Sequence, residues 1–368
     1  MTNRHIAGMA LALALLGQTS TAQILIGQTA GFTGLVAAGV NETTDGAKLY
    51  IDAVNAKGGI GGQKIELISV DDKFDPKLAA ENAQKLIVER NVAALFLNRG
   101  TPHTEALIPL LDKYGVPLIA PSTGAMVLHQ PVKKHVFNVR ATYQREAEKA
   151  IQHLTTIGIN RIGILQTDDS FGADSVQGAL RGLDKAQLKP LFVEKLDRAK
   201  PDIERLAARV AQEQPQAVIF IASGNTVVAG IKAIRAAGSS AQVVTLSNNA
   251  SGGFVKQLGE QARGVIVSQV FPQSISYGLV KEAQDMARAK GITEVSPAML
   301  EGFAAAKVLV EALRRTGGKP SRERIQAALE GLSKFDIGGL EVNFGPQDHS
   351  GLDFADLSII TADGRFRR

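Results

Sequence analysis

Leu25–Gly34 reads LIGQTAGFTG, and Gly163–Gly172 reads GILQTDDSFG. Each is an apolar run, then Gln-Thr, a polar loop and a glycine where a helix would begin. The likeness continues on both sides. FDPKLAAENAQKLIVERNVAALFL (74–97) is matched by AKPDIERLAARVAQEQPQAVIFIA (199–222), a proline-started helix, a polar break and a buried strand. NRGTPHTEALIPLLDKYGVPLIAPST (98–123) is matched in the same way by SGNTVVAGIKAIRAAGSSAQVVTLSN (223–248). The correspondence lies in pattern more than in identity. A chain that alternates strand and helix and does so twice over predicts two α/β lobes, each a doubly wound parallel sheet.

Short runs rich in Val, Ile and Leu mark buried strands at Ile24–Gly27, Ile65–Val70, Val92–Leu97, Val116–Ala120, Arg161–Leu165, Leu191–Glu194, Ala217–Ala222 and Gln242–Leu246. Helical stretches fall between them, at Thr43–Ala56, Pro76–Glu89, Thr104–Tyr114, Ala173–Ala186, Pro201–Glu213 and Thr226–Ala237. In open α/β sheets ligands bind beyond the carboxyl ends of the strands, so two such lobes predict a cleft lined by strand-end loops. Those loops are residues 28–33, 98–103, 121–124, 167–171, 223–225 and 247–251. They are dominated by Ser, Thr, Asn and Gly, which hydrogen-bond small polar ligands.

The 368 residues are 45% hydrophobic and 21% charged, with a formal net charge of +5 spread without a basic block. Aromatic residues make up 5% and Trp is absent, so neither a basic stripe nor a stacking platform for nucleic acid exists. There is no Cys, which removes disulfides, thiolate zinc sites and cysteine nucleophiles. Residues 1–22 read as a secretory signal peptide. Arg4 and His5 precede an apolar run from Ile6 to Leu16, too short to span a bilayer, and Ser20-Thr21-Ala22 offers small residues before a cut at Gln23. The expected product is a soluble, exported, periplasmic protein without a cysteine for a lipid anchor.

Asp71, Asp72 and Asp75 crowd carboxylates just after a predicted strand. Asp75 before Pro76 reads as a helix N-cap with proline at the first helical position, and the other two as loop structure. No metal spacing accompanies them, and no metal or cofactor is expected. The glycines of KGGIGGQ (57–63) follow a helix and precede a strand, the reverse of a phosphate loop, and read as a C-cap and turn. Neither Gly-x-Ser-x-Gly nor His-Glu-x-x-His occurs.

At this point the residues resemble a known family. GQTAGFTG through AENAQKLI (27–87), together with GTPHTEALIPLLDKYGVPLIAPSTGA (100–125), FNVRATYQREAEKAIQHL (137–154), DDSFGADSVQGAL (168–180), AVIFIASGNTVVAGIKAIRAAG (217–238) and LEGFAAAKVLVEALRRTGGK (300–319), resembles the leucine/isoleucine/valine-type periplasmic binding proteins. These are the type I solute-binding subunits of ABC transporters. The resemblance implies the type I periplasmic-binding-protein fold, with two lobes joined by three hinge crossings. By pattern, lobe 1 is residues 23–141 plus 273–347 and lobe 2 is residues 142–272 plus 348–368.

The resemblance also implies a site. A ligand carboxylate is held by a hydroxyl and backbone amides of the first lobe, and the matching positions are Thr101 and Ser122-Thr123-Gly124. A ring of the second lobe closes over the ligand, here Phe171, with Tyr143 at the first crossing as a further wall. Ser223, Ser247 and Asn248 lie on the facing loops. Amino-acid binders of the family place an acid in the second lobe against the ligand ammonium, yet TLSNNASG (245–252) has none. Asp168, Asp169 or Glu301 would have to substitute, Glu301 having helix-start capping as its alternative. The expectation is a non-enzymatic, monomeric importer subunit that captures a small carboxylate, an amino acid or a related organic or aromatic acid, for an inner-membrane permease. A sensing subunit for a membrane receptor and an exported hydrolase are the alternatives.

Overall fold

The protein is described by a computed structural model over residues 23–368. The predicted signal segment, residues 1–22, lies outside the described residues. Five strands form the first sheet: β1 (Ile24–Ala30), β2 (Ile65–Asp71), β3 (Ala94–Phe96), β4 (Leu118–Ile119) and β5 (Val136–Phe137), all parallel in the order β2-β1-β3-β4-β5. The second sheet takes β6 (Ile162–Thr167), β7 (Phe192–Leu196), β8 (Ala217–Ile221), β9 (Gln242–Thr245) and β10 (Ile266–Gln269), parallel in the order β7-β6-β8-β9-β10. The two orders are the same order. The repeat in the sequence is a repeat of topology. A hairpin, β11 (Phe335–Asp336) and β12 (Glu341–Val342), stands apart, while β13 (Asp356–Ile360) and β14 (Phe366–Arg367) extend the second sheet antiparallel beyond β10.

Helices cover both faces of each sheet. They are α1 (Ala37–Ala56), α2 (Pro76–Val88), α3 (Thr101–Tyr114), α4 (Tyr143–Thr156), α5 (Ser170–Lys185), α6 (Ile203–Glu213), α7 (Asn225–Ala236), α8 (Gly252–Leu258), α9 (Gly278–Ala289), α10 (Pro297–Arg315) and α11 (Arg322–Glu330). Apolar residues of α1, α9, α10 and α11 pack on one face of the first sheet, and those of α2 and α3 on the other. Sandwiching on both faces explains why the strands read as continuous apolar runs rather than alternating ones. In chain order the first sheet is complete at β5, the second takes β6 to β10, and after the separate hairpin the chain returns to the second sheet at β13.

All eight predicted strands are present, with ends that shift. β3 and β4 begin two residues later than predicted and end one residue earlier, the ends because Leu97 and Ala120 leave the extended region for positive φ, 56° and 51°. β5 and β10 were not predicted; at two and four residues they carry little pattern of their own. Helices α3 and α5 begin three residues before their predicted starts, which moves Thr101 and Phe171 from loops into first helical turns. Asp75 does cap α2, accepting from Lys77 N at 2.8 Å and Leu78 N at 3.1 Å. Asp71 and Asp72 organise the preceding turn. Asp71 accepts from Thr33 Oγ1 at 2.6 Å and Lys73 N at 2.9 Å, and buried Asp72 accepts from Phe74 N at 2.9 Å and Thr29 Oγ1 at 3.1 Å.

Candidate functional site

The reversal of strand order between β1 and β3, and between β6 and β8, places the crevice of each lobe beside the first strand's partner loop. In the first lobe the chain beyond β3 and β4 turns sharply through the left-handed residues Leu97 and Ala120, and Gly100 has φ 99°. Positive φ at non-glycine residues is costly and marks positions held by their surroundings. Past these turns a parallel bridge pairs Arg99 with Ser122, fixed by Ser122 N donating to Asn98 O at 2.7 Å. That bridge aligns the two loops of the predicted site. The Thr101 and Thr123 hydroxyls meet at 2.8 Å, both shut off from solvent. Gly124 is needed where it stands, since a Cβ there would lie 2.6 Å from Ala141 O.

The second lobe meets this wall. Asn248 Nδ2 donates to Ser223 Oγ at 2.9 Å and to Ala222 O at 3.1 Å, which orients the loop after β9. Arg99 Nη1 donates to Ser122 Oγ at 2.8 Å in its own lobe, and Nη2 donates to Asn248 O at 2.5 Å in the other. Further contacts close the lobes. Glu42 of α1 accepts from the α8 amides of Gly252 at 2.9 Å and Gly253 at 2.7 Å, Asn225 N donates to Leu35 O at 3.1 Å, and Ser170 Oγ donates to Glu105 Oε2 at 2.5 Å. The cleft is shut, and every predicted site residue is buried.

Behind the hydroxyls lies a charged cluster of which sequence reasoning named only Glu301. Arg140, at the first crossing, is 2% exposed and donates to Glu146 Oε1 and to Ser247 Oγ at 2.6 Å, with Glu301 Oε1 at 3.5 Å from Nη1. Burial would lower the Arg140 pKa, but the Glu301 and Glu146 carboxylates outweigh it and raise it above the ordinary guanidinium value. Glu146 Oε2 also accepts from Ser247 N at 2.9 Å and from Ser268 Oγ. The Arg140 guanidinium sits 4.7 Å from the centre of the Tyr143 ring, and Tyr143 meets Phe171 edge to face at 4.8 Å. The two predicted ring residues therefore pack on each other beneath Arg140.

Glu301 corrects one alternative. The N-cap of α10 is Ser296, which accepts from Met299 N at 3.2 Å, so Glu301 is not a helix-start cap. It accepts from Ser122 Oγ at 2.8 Å in the middle of the site. Helix packing holds it there: a Cβ on Gly302 would fall 1.7 Å from Thr43 O, and one on Gly46 1.8 Å from Met299 O. Only glycine at both positions lets α1 and α10 approach this closely. Asp168 and Asp169 are spent elsewhere, Asp168 on Lys195 at 2.8 Å and Asp169 on Arg198 and the α5 N-cap. The signal that could have found Arg99, Arg140 and Glu146 was present: charged residues directly against buried apolar runs are buried only when paired or functional.

Among the described residues, no group of His, Cys, Asp and Glu could hold a metal ion, and no helix is long and apolar enough to cross a membrane. The chain is similar to several known proteins. The Leu/Ile/Val-binding protein of Escherichia coli is 23% identical over 260 residues, 70% of this chain and 71% of that one. A possible leucine/isoleucine/valine-binding protein from Rhodopirellula baltica superposes with a TM-score of 0.88 at 28% identity, covering 95% of this chain and 97% of the other. A substrate-binding periplasmic protein from Ralstonia solanacearum does so at 0.86 and 30%, covering 94% and 99%. A family model described as periplasmic binding protein matches residues 23–358, and the chain belongs to that family of solute-binding, non-catalytic proteins.

Proposed function

We propose that the protein captures a small carboxylate-bearing solute between its lobes outside the cytoplasm and delivers it to an ABC permease. The observation that carries this reading is Arg99, which donates to Ser122 Oγ of its own lobe and to Asn248 O of the other, next in sequence to the Gly100-Thr101 turn whose hydroxyl meets that of Thr123. Hydroxyl and guanidinium donors held out of water are suited to a carboxylate, and a contact that spans the lobes ties its capture to closure. The same reading places the hinge crossings at 141/142, 272/273 and 347/348. Export as a monomer through a cleaved segment ending at Ala22 belongs to the same reading. The relatives' names point to branched-chain amino acids, while one fold neighbour is named a fatty acid transporter subunit, so the carboxylate is the common element.

The test is mass spectrometry of solute carried through gentle purification from a periplasmic extract, followed by thermal-shift screening of the acids found. Ligand at a hundredfold excess over Kd should raise stability by about 2.7 kcal/mol. Thr101→Val keeps the shape and removes a donor, so affinity should fall by roughly 1–3 kcal/mol. A carried solute without a carboxylate, or affinity unchanged in Thr101→Val, refutes the reading.

A further inference from the structure

A cavity of about 280 Å³, lined by none of Arg99, Thr101, Ser122, Thr123 and Asn248, opens where two connections of the chain join the cores of the two sheets. The first connection leads from β10 to α9. Its Phe271 lies in the core of the first sheet, and Tyr277 packs against that core. The second leads from β12 to β13 and brings Phe354 and Leu357 to the cavity wall. Leu357 packs against the core of the second sheet, as does Phe366 of β14. The walls of the cavity thus belong to both bodies of the molecule.

Two polar groups border it without partners of their own. Gln269, the last residue of β10, is 2% exposed, and its Nε2 has no hydrogen-bond partner among the described residues. A buried amide donor left unpaired is costly, and such exceptions call for a reason. Arg367 of β14 has no carboxylate within ion-pair distance among the described residues. Asp356, the acid of the lining, is taken by Arg368 at 3.0 Å, so the charge left over is positive. Small-molecule sites are concave and mostly apolar, with a few polar groups that set orientation. The rings of Phe271, Tyr277, Phe354 and Phe366 suit a flat apolar body, and an amide N–H beside a guanidinium suits an anionic oxygen.

We propose that this cavity is a second ligand site, separate from the interlobe cleft, which takes a small aromatic anion. Its ring lies among the aromatic side chains, and its charged group accepts from Gln269 Nε2 and Arg367. The site stands whether or not the cleft takes a carboxylate, because the two share none of the residues on which either is argued.

The experiment is calorimetric titration of the mature protein with naphthalene-2-sulfonate, an aromatic anion that carries no carboxylate. Phe354→Ala should weaken its binding about tenfold through the lost ring contact. Arg367→Gln, at an exposed position, should weaken it about fivefold. Gln269→Leu should weaken it about tenfold, yet its melting temperature should equal or exceed that of wild type, because an unpaired amide gives way to an apolar group of similar size. Thr101→Val, a change in the cleft, should leave the probe's affinity as it is. Circular dichroism melts report folding, and the surface variant Arg367→Gln carries the test if Gln269→Leu does not fold. No binding at about 1 mM probe overturns the site. Weaker binding in Thr101→Val with none lost in Phe354→Ala and Arg367→Gln puts the probe in the cleft and overturns it as well. A lower melting temperature for Gln269→Leu with the probe's affinity unchanged makes the amide a structural group and overturns its role.

Discussion

Replacing Arg140 by Met tests whether the buried charge cluster is a matched set. Met keeps most of the stem volume and removes the guanidinium, so lost packing contributes little. What remains is Glu146, fully excluded from water, with only Ser247 N and Ser268 Oγ, and Glu301 with only Ser122 Oγ. Breaking a buried pair by removing one partner costs roughly 3–5 kcal/mol. Urea unfolding followed by circular dichroism measures that cost. The double variant Arg140→Met/Glu146→Gln should recover about 1–3 kcal/mol relative to the sum of the single changes, because the uncompensated charge leaves with its partner. Stability of Arg140→Met within about 0.5 kcal/mol of wild type, or a double variant equal to the sum of the singles, refutes the account.

Three further outcomes are expected. Gly302→Ala should destabilise the protein by roughly 1–3 kcal/mol, because its Cβ would meet Thr43 O at 1.7 Å, and it should weaken ligand binding by displacing the adjacent Glu301; a denaturation midpoint equal to wild type would mean the helices separate without cost. Asp75→Ala should cost roughly 0.5–2 kcal/mol in urea unfolding through the lost cap and leave ligand affinity unchanged, since Asp75 is occupied with α2. Burial pushes His103 down to about 4 from 6.5, so its unfolded form binds the proton first, and stability present above pH 6.5 is lost as pH falls toward 4, by about 3 kcal/mol in all. Asp72, pushed up to about 6 by burial, works in the opposite direction between pH 3.8 and 6. His103→Gln should therefore flatten the acid side of the stability curve, and a slope as steep as wild type would assign the loss to other groups.

Much of the fold could be read from residues close together in the chain. The paired stretches at Leu25 and Gly163 stand at matching places in two sheets of identical strand order, because a buried parallel strand and its crossover helix are each written in one contiguous run. Asp75-Pro76 declared a helix start, and the glycines after α1 take positive φ where a turn was expected, Gly58, Gly59, Gly61 and Gly62 alike. These are interactions within a few residues, and local sequence contains all of the chemistry they need.

The centre of the site was legible only in part. Thr101, Ser122 and Thr123 came from the family resemblance, on loops placed at strand ends, and Glu301 was named as a substitute acid, but Arg99 stood in the same loop unremarked, and Arg140 and Glu146 read as ordinary helix and strand neighbours. Nothing in the spacing of positions 99, 122, 140, 146, 248 and 301 places them together. Their meeting depends on α10 returning to the first sheet after the second is built, on the glycine contact that sets its depth against α1, and on closure of one lobe over the other. A buried charge is stable only against a partner, and here the partners lie up to 179 positions apart, as Ser122 and Glu301 do. Periodicity records which face of an element is apolar; which charge answers which is decided when the two lobes come together and water leaves the space between them.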